Sequence, residues 1–338
     1  MSITYVVTVT YADRFEKLAR HTVSRALLAG AAHVVLVDNG SSNATQCEIS
    51  ATYENESRVT VILLPENTGS APGFACGIEA AILENPEFIL LLDDDNWIES
   101  DTLARFHASH AAASLNFADD LTSISGFRDL DSDHSRLSTG MPSTLVFPPV
   151  GSFMFFDLFN EIKRRLKRSR PVQASQWVVP YGPYGGFFFP TPLIAEIGLP
   201  PKELKLYADD TVWTSGITAR GHNIVLDLGV TIHDADGKWA RTGGTGPLGL
   251  LQAAHQEKLF YSVRNRVYFE RTHLRTVLEK ARYSLNRTIY IVLVEYLSRR
   301  YKLRPALNTF RRAVVDGEDA KFIADNATIS KGGRLPSI

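Results

Sequence analysis

Short apolar runs alternate with helical repeats through the first hundred residues. Ile3–Thr10 alternates weakly and is rich in Val, Ile and Thr, as a buried strand would be. Phe15, Leu18, Ala19, Thr22, Val23 and Ala26 follow a helical period, which predicts a helix ending near Gly30. His33–Val37 predicts a second strand, closed by the turn signal Asp38-Asn39-Gly40. Val59–Leu64 predicts a third strand, Pro72–Leu83 a helix with Phe74, Ile78, Ala81 and Ile82 on one side, and Phe88–Leu92 a fourth strand. The order strand, helix, strand, strand, helix, strand argues for a mostly parallel sheet layered with helices. Further along, residues 98–116 read as helix, 119–143 as polar turns, and 223–232 as a strand ending at His233. From Leu248 the pattern is helical, until residues 314–338 turn polar and glycine-containing, as a cap or tail. No internal repeat emerges.

Ligands of open α/β sheets bind beyond the C-terminal ends of the strands. Candidate chemistry therefore falls at Thr10, Asp38, Glu66-Asn67 and Asp93–Asp95. At the last of these, FILLLDDDNW runs five apolar residues straight into three aspartates. Adjacent carboxylates repel unless water, cations or hydrogen bonds compensate. Such an oxygen-rich set suits Mg²⁺ or Mn²⁺, especially beside phosphates, whereas the plainer reading is a solvated turn or helix cap. Asp38 could equally form an Asx turn with Asn39-Gly40. Asp209-Asp210 precedes an apolar helical stretch, where an N-cap is the plainer reading. The glycines never form GxGxxG, so a dinucleotide fold gains no support.

Composition narrows the class. With 338 residues, 44% hydrophobic and 22% charged, the chain has material for a large core and more than one unit. A net charge of -1 gives no overall demand for nucleic acid. Charge is uneven locally: Glu161–Arg170 carries six basic residues against one acidic, and Arg275–Arg312 ten against two. Those runs are solvated faces, or contacts for a phosphate-bearing acceptor or a membrane surface. Two cysteines make neither a disulfide scaffold nor a zinc site, which favours a reducing compartment. The N-terminus lacks signal-peptide character, and Ile289–Val294 is too short to span a bilayer.

Seven motifs in order carry a resemblance: VTVTY (Val7–Tyr11), VLVDNGS (Val35–Ser41), ENTGSAPGFACG (Glu66–Gly77), LLLDDDN (Leu90–Asn96), YADDTVW (Tyr207–Trp213), IHDADG (Ile232–Gly237) and YSVRNRVYF (Tyr261–Phe269). Together they resemble family 2 glycosyltransferases of the GT-A fold, nearest to rhamnosyltransferase-like and galactofuranosyltransferase-like members, over roughly residues 3–270. The resemblance implies a nucleotide-diphospho-sugar transferase α/β fold, a mostly parallel central sheet flanked by helices with a helical C-terminal region. It implies a catalytic unit over 1–247, with a nucleotide-sugar half at 1–117, an acceptor and base half at 118–247 and an insertion near 140–175. A mainly helical region follows at 248–338.

The resemblance also assigns roles. Asp93 and Asp95 become the metal ligands for Mn²⁺ or Mg²⁺, completed by His233, with Asp94 between them reaching the sugar. Thr10, Tyr11, Asp38, Asn67 and Gly69 face the nucleotide. Gly185, Gly186, Phe187 and Asp209 lie toward the acceptor, and Asp210 is the base. The family often carries Glu two places after the base, where this chain has Val212. The implied reaction is inverting transfer from UDP-galactofuranose, with dTDP-rhamnose next, to a glycan or lipid-linked glycan. Implied partners are the nucleotide sugar, that acceptor, a membrane surface and a second copy of the chain, without nucleic acid. The expected location is cytoplasmic, peripheral on the inner face of the membrane. Two rivals remain: a nucleotidyltransferase, which needs an early basic glycine-rich loop that VTYADR lacks, and a carbohydrate-binding or scaffolding module without turnover.

Overall fold

The computed structural model describes residues 2–166, 174–235, 246–252, 255–320 and 322. In chain order, β1 (Thr4–Thr10) leads through a π-helical turn (Phe15–Ala19) into α1 (Arg20–Leu28). Next come β2 (His33–Asn39), α2 (Asn43–Tyr53), β3 (Val59–Leu64), α3 (Ser70–Leu83), β4 (Phe88–Asp93), β5 (Asn96–Trp97) and α4 (Thr102–Phe117). The second half opens with β6 (Ser123–Arg128), α5 (Ser132–Ser138), α6 (Ser143–Val146), α7 (Leu158–Leu166), β7 (Gln176–Val178) and β8 (Phe187–Pro190). It continues with α8 (Leu193–Ile197), α9 (Asp209–Ala219) and β9 (Ile224–Asp234). The C-terminal helices are α10 (Pro247–Leu251), α11 (Gln256–Thr272), α12 (Val277–Tyr301) and α13 (Arg304–Asp319).

Among the described residues these strands form one sheet in the order β3-β2-β1-β4-β8-β6-β9-β5, with β7 also on β9. The first half is parallel, as the sequence predicts. The second half is mixed, because β8 runs antiparallel to both β4 and β6. Strand alternation splits the core. Leu90, Leu92 and Phe188 face one layer with Phe15, Val23 and Phe106. Ile89, Leu91, Phe187 and Phe189 face the other with Phe74, Ile78 and Trp213. On that second side α3 lies close to β1, where a Cβ at Gly77 would come within 2.4 Å of Val7. A third cluster, including Phe153, Val263, Tyr290 and Phe310, joins the C-terminal helices to the 151–157 loop.

Several expectations change. The polar stretch after β2 is the helix α2, which restores strand–helix alternation; of its residues only Ile49 is buried, so no apolar stripe marks it. Residues 119–143 are not simply turns: they contain β6, α5 and the start of α6. Position 314 begins no tail, since α13 continues to Asp319. Residues 167–170 of the basic run, 236–237 of IHDADG and 323–338 lie outside the described residues.

Candidate active site

Parallel register places Val9 beside Asp93 and Thr10 beside Asp38, so the C-terminal ends of β1, β2 and β4 converge. The acidic triplet is compensated unevenly. Arg14 grips Asp94 with Nε and Nη2 at 2.8 and 2.7 Å. Thr10 Oγ1 donates to the same carboxylate at 3.0 Å. Arg14 Nη2 also reaches Asp95 at 3.3 Å. Asp93 instead meets Arg128 Nη1 at 3.2 Å, and Arg128 is shared with Asp234. Burial pushes Asp93 up to about 7, against the lowering by Arg128 and with further upward push from Asp95 and Asp94. Its side chain keeps 36% exposure, so that burial is partial, and the neighbouring carboxylates add to the upward push. Burial and Asp94 raise Asp95 as well.

A second acidic pair enters from far along the chain. Residues 205–208 turn sharply, with Lys205, Tyr207 and Ala208 all at positive φ, and deliver Asp209 and Asp210 at the start of α9. Ala208, not an aspartate, holds the N-cap position. Ser70 Oγ donates to Asp209 Oδ2 at 2.8 Å, and Thr211 N–H to Asp210 Oδ1 at 2.6 Å. Burial raises both carboxyls, and Asp210 further disfavours ionisation of Asp209. The field of Asp210 reaches Asp93, so the two acidic groups share one site.

Gly69 explains how they meet. At φ +100° its α-carbon packs on the 205–208 turn, where a Cβ would approach the Lys205 carbonyl oxygen to 2.4 Å. Ala71 N–H donates to that same oxygen at 2.9 Å. Gly185 works similarly beneath the triplet: a Cβ there would lie 2.6 Å from Asp93 Oδ2 and 2.2 Å from Asn96 Oδ1.

Several assigned residues sit differently from the sequence expectation. His233 stacks on Trp97 with ring centroids 4.1 Å apart, and its Nε2 faces Glu99 at 3.8 Å. Strand alternation turns its neighbour Asp234 instead toward Arg128 and Asn96. His233 therefore does not join Asp93 and Asp95. Among the described residues no group of three or more His, Cys, Asp or Glu side chains is arranged to hold a metal ion. Both oxygens of Asp94 are engaged by Arg14 and Thr10, so it is a buried anchor and not a free arm toward a sugar. Asp38 is buried and accepts from Ser41 N–H at 3.0 Å, Ser41 Oγ and Gln46 Nε2, which is the Asx-type turn. Tyr11 is exposed and lies beside the Arg14 guanidinium. Asn67 Oδ1 caps Gly69 N–H at 3.0 Å within the loop. The Phe187 side chain is fully buried in the core, while the Gly186 N–H donates to Leu91 O at 2.9 Å.

Arg14, Asn96 and Arg128 escaped the sequence reading as individual residues, although Asn96 lay inside a quoted motif. The largest omission is Asn265, inside YSVRNRVYF. Its Nδ2 donates to the carbonyls of Leu204, Leu206 and Tyr207 at 2.8, 3.0 and 2.8 Å. Arg264 Nη2 adds bonds to Glu203 O and Leu204 O. One helix thus clamps the strained turn that presents Asp209 and Asp210. Removing a donor to buried carbonyls costs about 1–3 kcal/mol. Asn265→Ala is therefore expected to lower the urea midpoint by that equivalent with an unchanged slope. An unmoved midpoint would contradict the clamp.

The family model described as Glycosyl transferase family 2 matches residues 5–162. The matched stretch is just under half of the chain. No curated protein matches the chain. Among solved structures, GalNAc-T7 with UDP, GalNAc and Mn²⁺ aligns over 69% of this chain and 44% of its own, at 13% identity and a TM-score of 0.50. Mannosyltransferase PcManGT from Pyrobaculum calidifontis, in complex with GDP-Man and Mn²⁺, aligns over 92% and 86%, at 15% identity and a TM-score of 0.50. S. aureus TarS aligns over 94% and 54%, at 18% identity and a TM-score of 0.43. The chain spans about half the length of GalNAc-T7 and of TarS. The chain thus has a GT-A-type architecture, a central sheet flanked by helices, followed by a helical C-terminal region.

Proposed function

We propose that the protein is a divalent-metal-dependent, inverting glycosyltransferase that moves a sugar from a nucleoside-diphosphate donor to a hydroxyl of a glycan or lipid-linked glycan. The observation that carries this reading is the meeting of two acidic groups, Asp93 and Asp95 at the end of β4 and Asp209 and Asp210 at the start of α9. Asp93, Asp94, Asp95, Asp209, Asp210 and Asp234 face only Arg14 and Arg128 as described cationic partners. A site with that surplus of carboxylate, and with Asp93 pushed up to about 7, fits a hard divalent cation with oxygen ligands. Asp93 and Asp95 are the residues proposed to hold Mn²⁺ or Mg²⁺; when bound, the ion neutralises the charge developing on the departing diphosphate. Arg14 and Thr10 hold the triplet's backbone in place through Asp94. Asp210 accepts the proton of the attacking hydroxyl, and its buried setting raises it above the ordinary carboxylate range, as suits a base. Asp209, tied to Ser70, positions that base. Two relatives of the same fold were solved with a nucleotide and Mn²⁺, which agrees with this reading.

UDP-galactofuranose is the favoured donor and dTDP-rhamnose the second, on the acidic triplet within the resembled motifs. Incubation of each donor with Mn²⁺ and a glycan acceptor tests the function. Release of nucleoside diphosphate that chelator abolishes supports it, and full activity in excess chelator defeats it. The same assay separates an enzyme from a scaffold, which would turn over neither donor.

We place the protein in the cytoplasm, resting on the inner face of the membrane, where a lipid-linked acceptor would be presented. No described helix is long and apolar enough to cross a membrane. On α12, however, Leu278, Leu285, Val292 and Tyr296 form an exposed stripe at heptad-like spacing, with Arg299 and Arg300 beside its end. Such a face suits shallow burial against anionic lipid. Flotation with vesicles containing phosphatidylserine is expected to carry the protein upward at low salt and less at moderate salt. Absence from the floated fraction at both salts would remove intrinsic membrane affinity.

A further inference from the structure

A cavity of about 280 Å³ lies outside the acidic cleft, walled by Ser132, Asp133, Arg136, Pro148, Phe155 and Asn160 among others. That volume falls just below the range of about 300–1,000 Å³ usual for drug-sized ligands, a size for one ring and not a chain.

Its aromatic wall is held in place at a cost. Met154 and Phe155 both adopt left-handed backbone, at φ 53° and 61°. Such conformations are strained for residues with a side chain and persist only where the surroundings impose them. Here Glu270 accepts both N–H groups, at 2.8 and 3.0 Å. The Arg266 guanidinium carbon sits 3.3 Å from the Phe155 ring centroid and bonds Glu270 in turn. Despite this support, Phe155 remains 53% exposed. One face of the ring is thus backed by a buried cation while the residue borders the cavity.

The polar lining complements an uncharged polyol. Asp157 is already paired with Arg282 at 2.6 Å and bonded by Asn286, so it braces the wall. Asp133 lies 3.6 Å from Arg136, and Glu161 adds another carboxylate. Arg136, the described cation of the lining, is already paired with Asp133, which disfavours phosphate and uronate. Hydroxyl, amide and carboxylate groups beside an exposed ring are what the two faces of a sugar require, C–H on the aromatic and O–H on the acceptors.

The cavity also borders the acceptor side. Ser132 and Asp133 follow β6, whose terminal Arg128 contacts Asp93; the Arg128 N–H donates to His134 Nδ1 at 3.1 Å. Asp131, at the start of α5, exerts its charge on Asp210.

We propose that this cavity is a subsite for a neutral sugar unit of the acceptor, at least one residue removed from the hydroxyl that reacts. The assignment rests on the glycosyl-transfer reading and deepens it. Methyl glycosides of one, two and three galactofuranose or rhamnose units, titrated by calorimetry without donor, test it. Wild type is expected to gain about tenfold or more in affinity between one and three units. Phe155→Ala removes the ring, and Ser132→Phe fills the cavity from an exposed position on a different element. Both are expected to lose that gain while binding the monosaccharide and UDP as wild type does. Absence of a length-dependent gain in wild type for both sugar series, its retention in both variants, or tighter binding of a phosphorylated trisaccharide would overturn the subsite. Length-dependent binding that both variants abolish, in a protein that turns over neither donor, would support the subsite as a sugar site while defeating the transfer reading.

Discussion

Asp210→Asn is expected to bind donor and metal almost normally and to lose transfer by about 10²–10⁴, the usual contribution of a general base. The substitution is close to isosteric, and an Asn Oδ1 can still accept from the Thr211 N–H and Oγ1 that now contact Asp210 Oδ1. Because Ala208 holds the N-cap position, the start of α9 does not depend on this carboxylate. The comparison therefore separates proton acceptance from structure. A retained rate would remove Asp210 as base and turn attention to Asp209. The wild-type rate should also rise with pH through a value above the ordinary carboxylate range, since burial raises Asp210 and only the ionised form accepts a proton.

Asp95→Ala is expected to abolish metal-supported donor binding in a protein that remains folded. Burial raises both Asp93 and Asp95. A carboxyl raised in the folded state contributes stability at low pH that is lost as pH rises through the raised value, here about 7 for Asp93. The metal-free protein should lose this contribution between about pH 4 and 7. Mn²⁺ requires the ionised pair, so its stabilising effect should be small at pH 5 and large at pH 8. At a hundredfold excess over Kd the effect approaches about 2.7 kcal/mol. Thermal unfolding with and without Mn²⁺ at the two pH values reads this directly. The Asp95→Ala protein should show no Mn²⁺-dependent shift at pH 8; a shift equal to wild type would exclude Asp95 as a ligand.

The apolar strands were legible because burial on both faces writes itself as uninterrupted hydrophobic runs, as in Phe88–Leu92. β6 was not, since SISGFR buries Ser123, Ser125 and Gly126 in a sheet interior where the sequence looks polar. The acidic residues announced themselves by adjacency, three together and then two. Their partners did not. Arg128 is one basic residue at the end of an unrecognised strand, and it meets Asp93 only because β8 and β6 follow β4 in the sheet. Asn265 lay in a motif noted for its likeness, yet its work is to hold carbonyls some sixty residues away, a relation that local pattern does not encode. A polar Arg-Asn-Arg triplet between Val263 and Val267 was the available signal, because buried polar groups within a helix need partners. His233 shows the opposite failing: strand alternation turns it away from the triplet and its neighbour toward Arg128.

The configuration of the product tests the central claim most directly. If Asp210 activates the acceptor hydroxyl for a single displacement, NMR of the isolated product must show the anomeric centre inverted relative to the donor. A product with retained configuration would contradict that assignment.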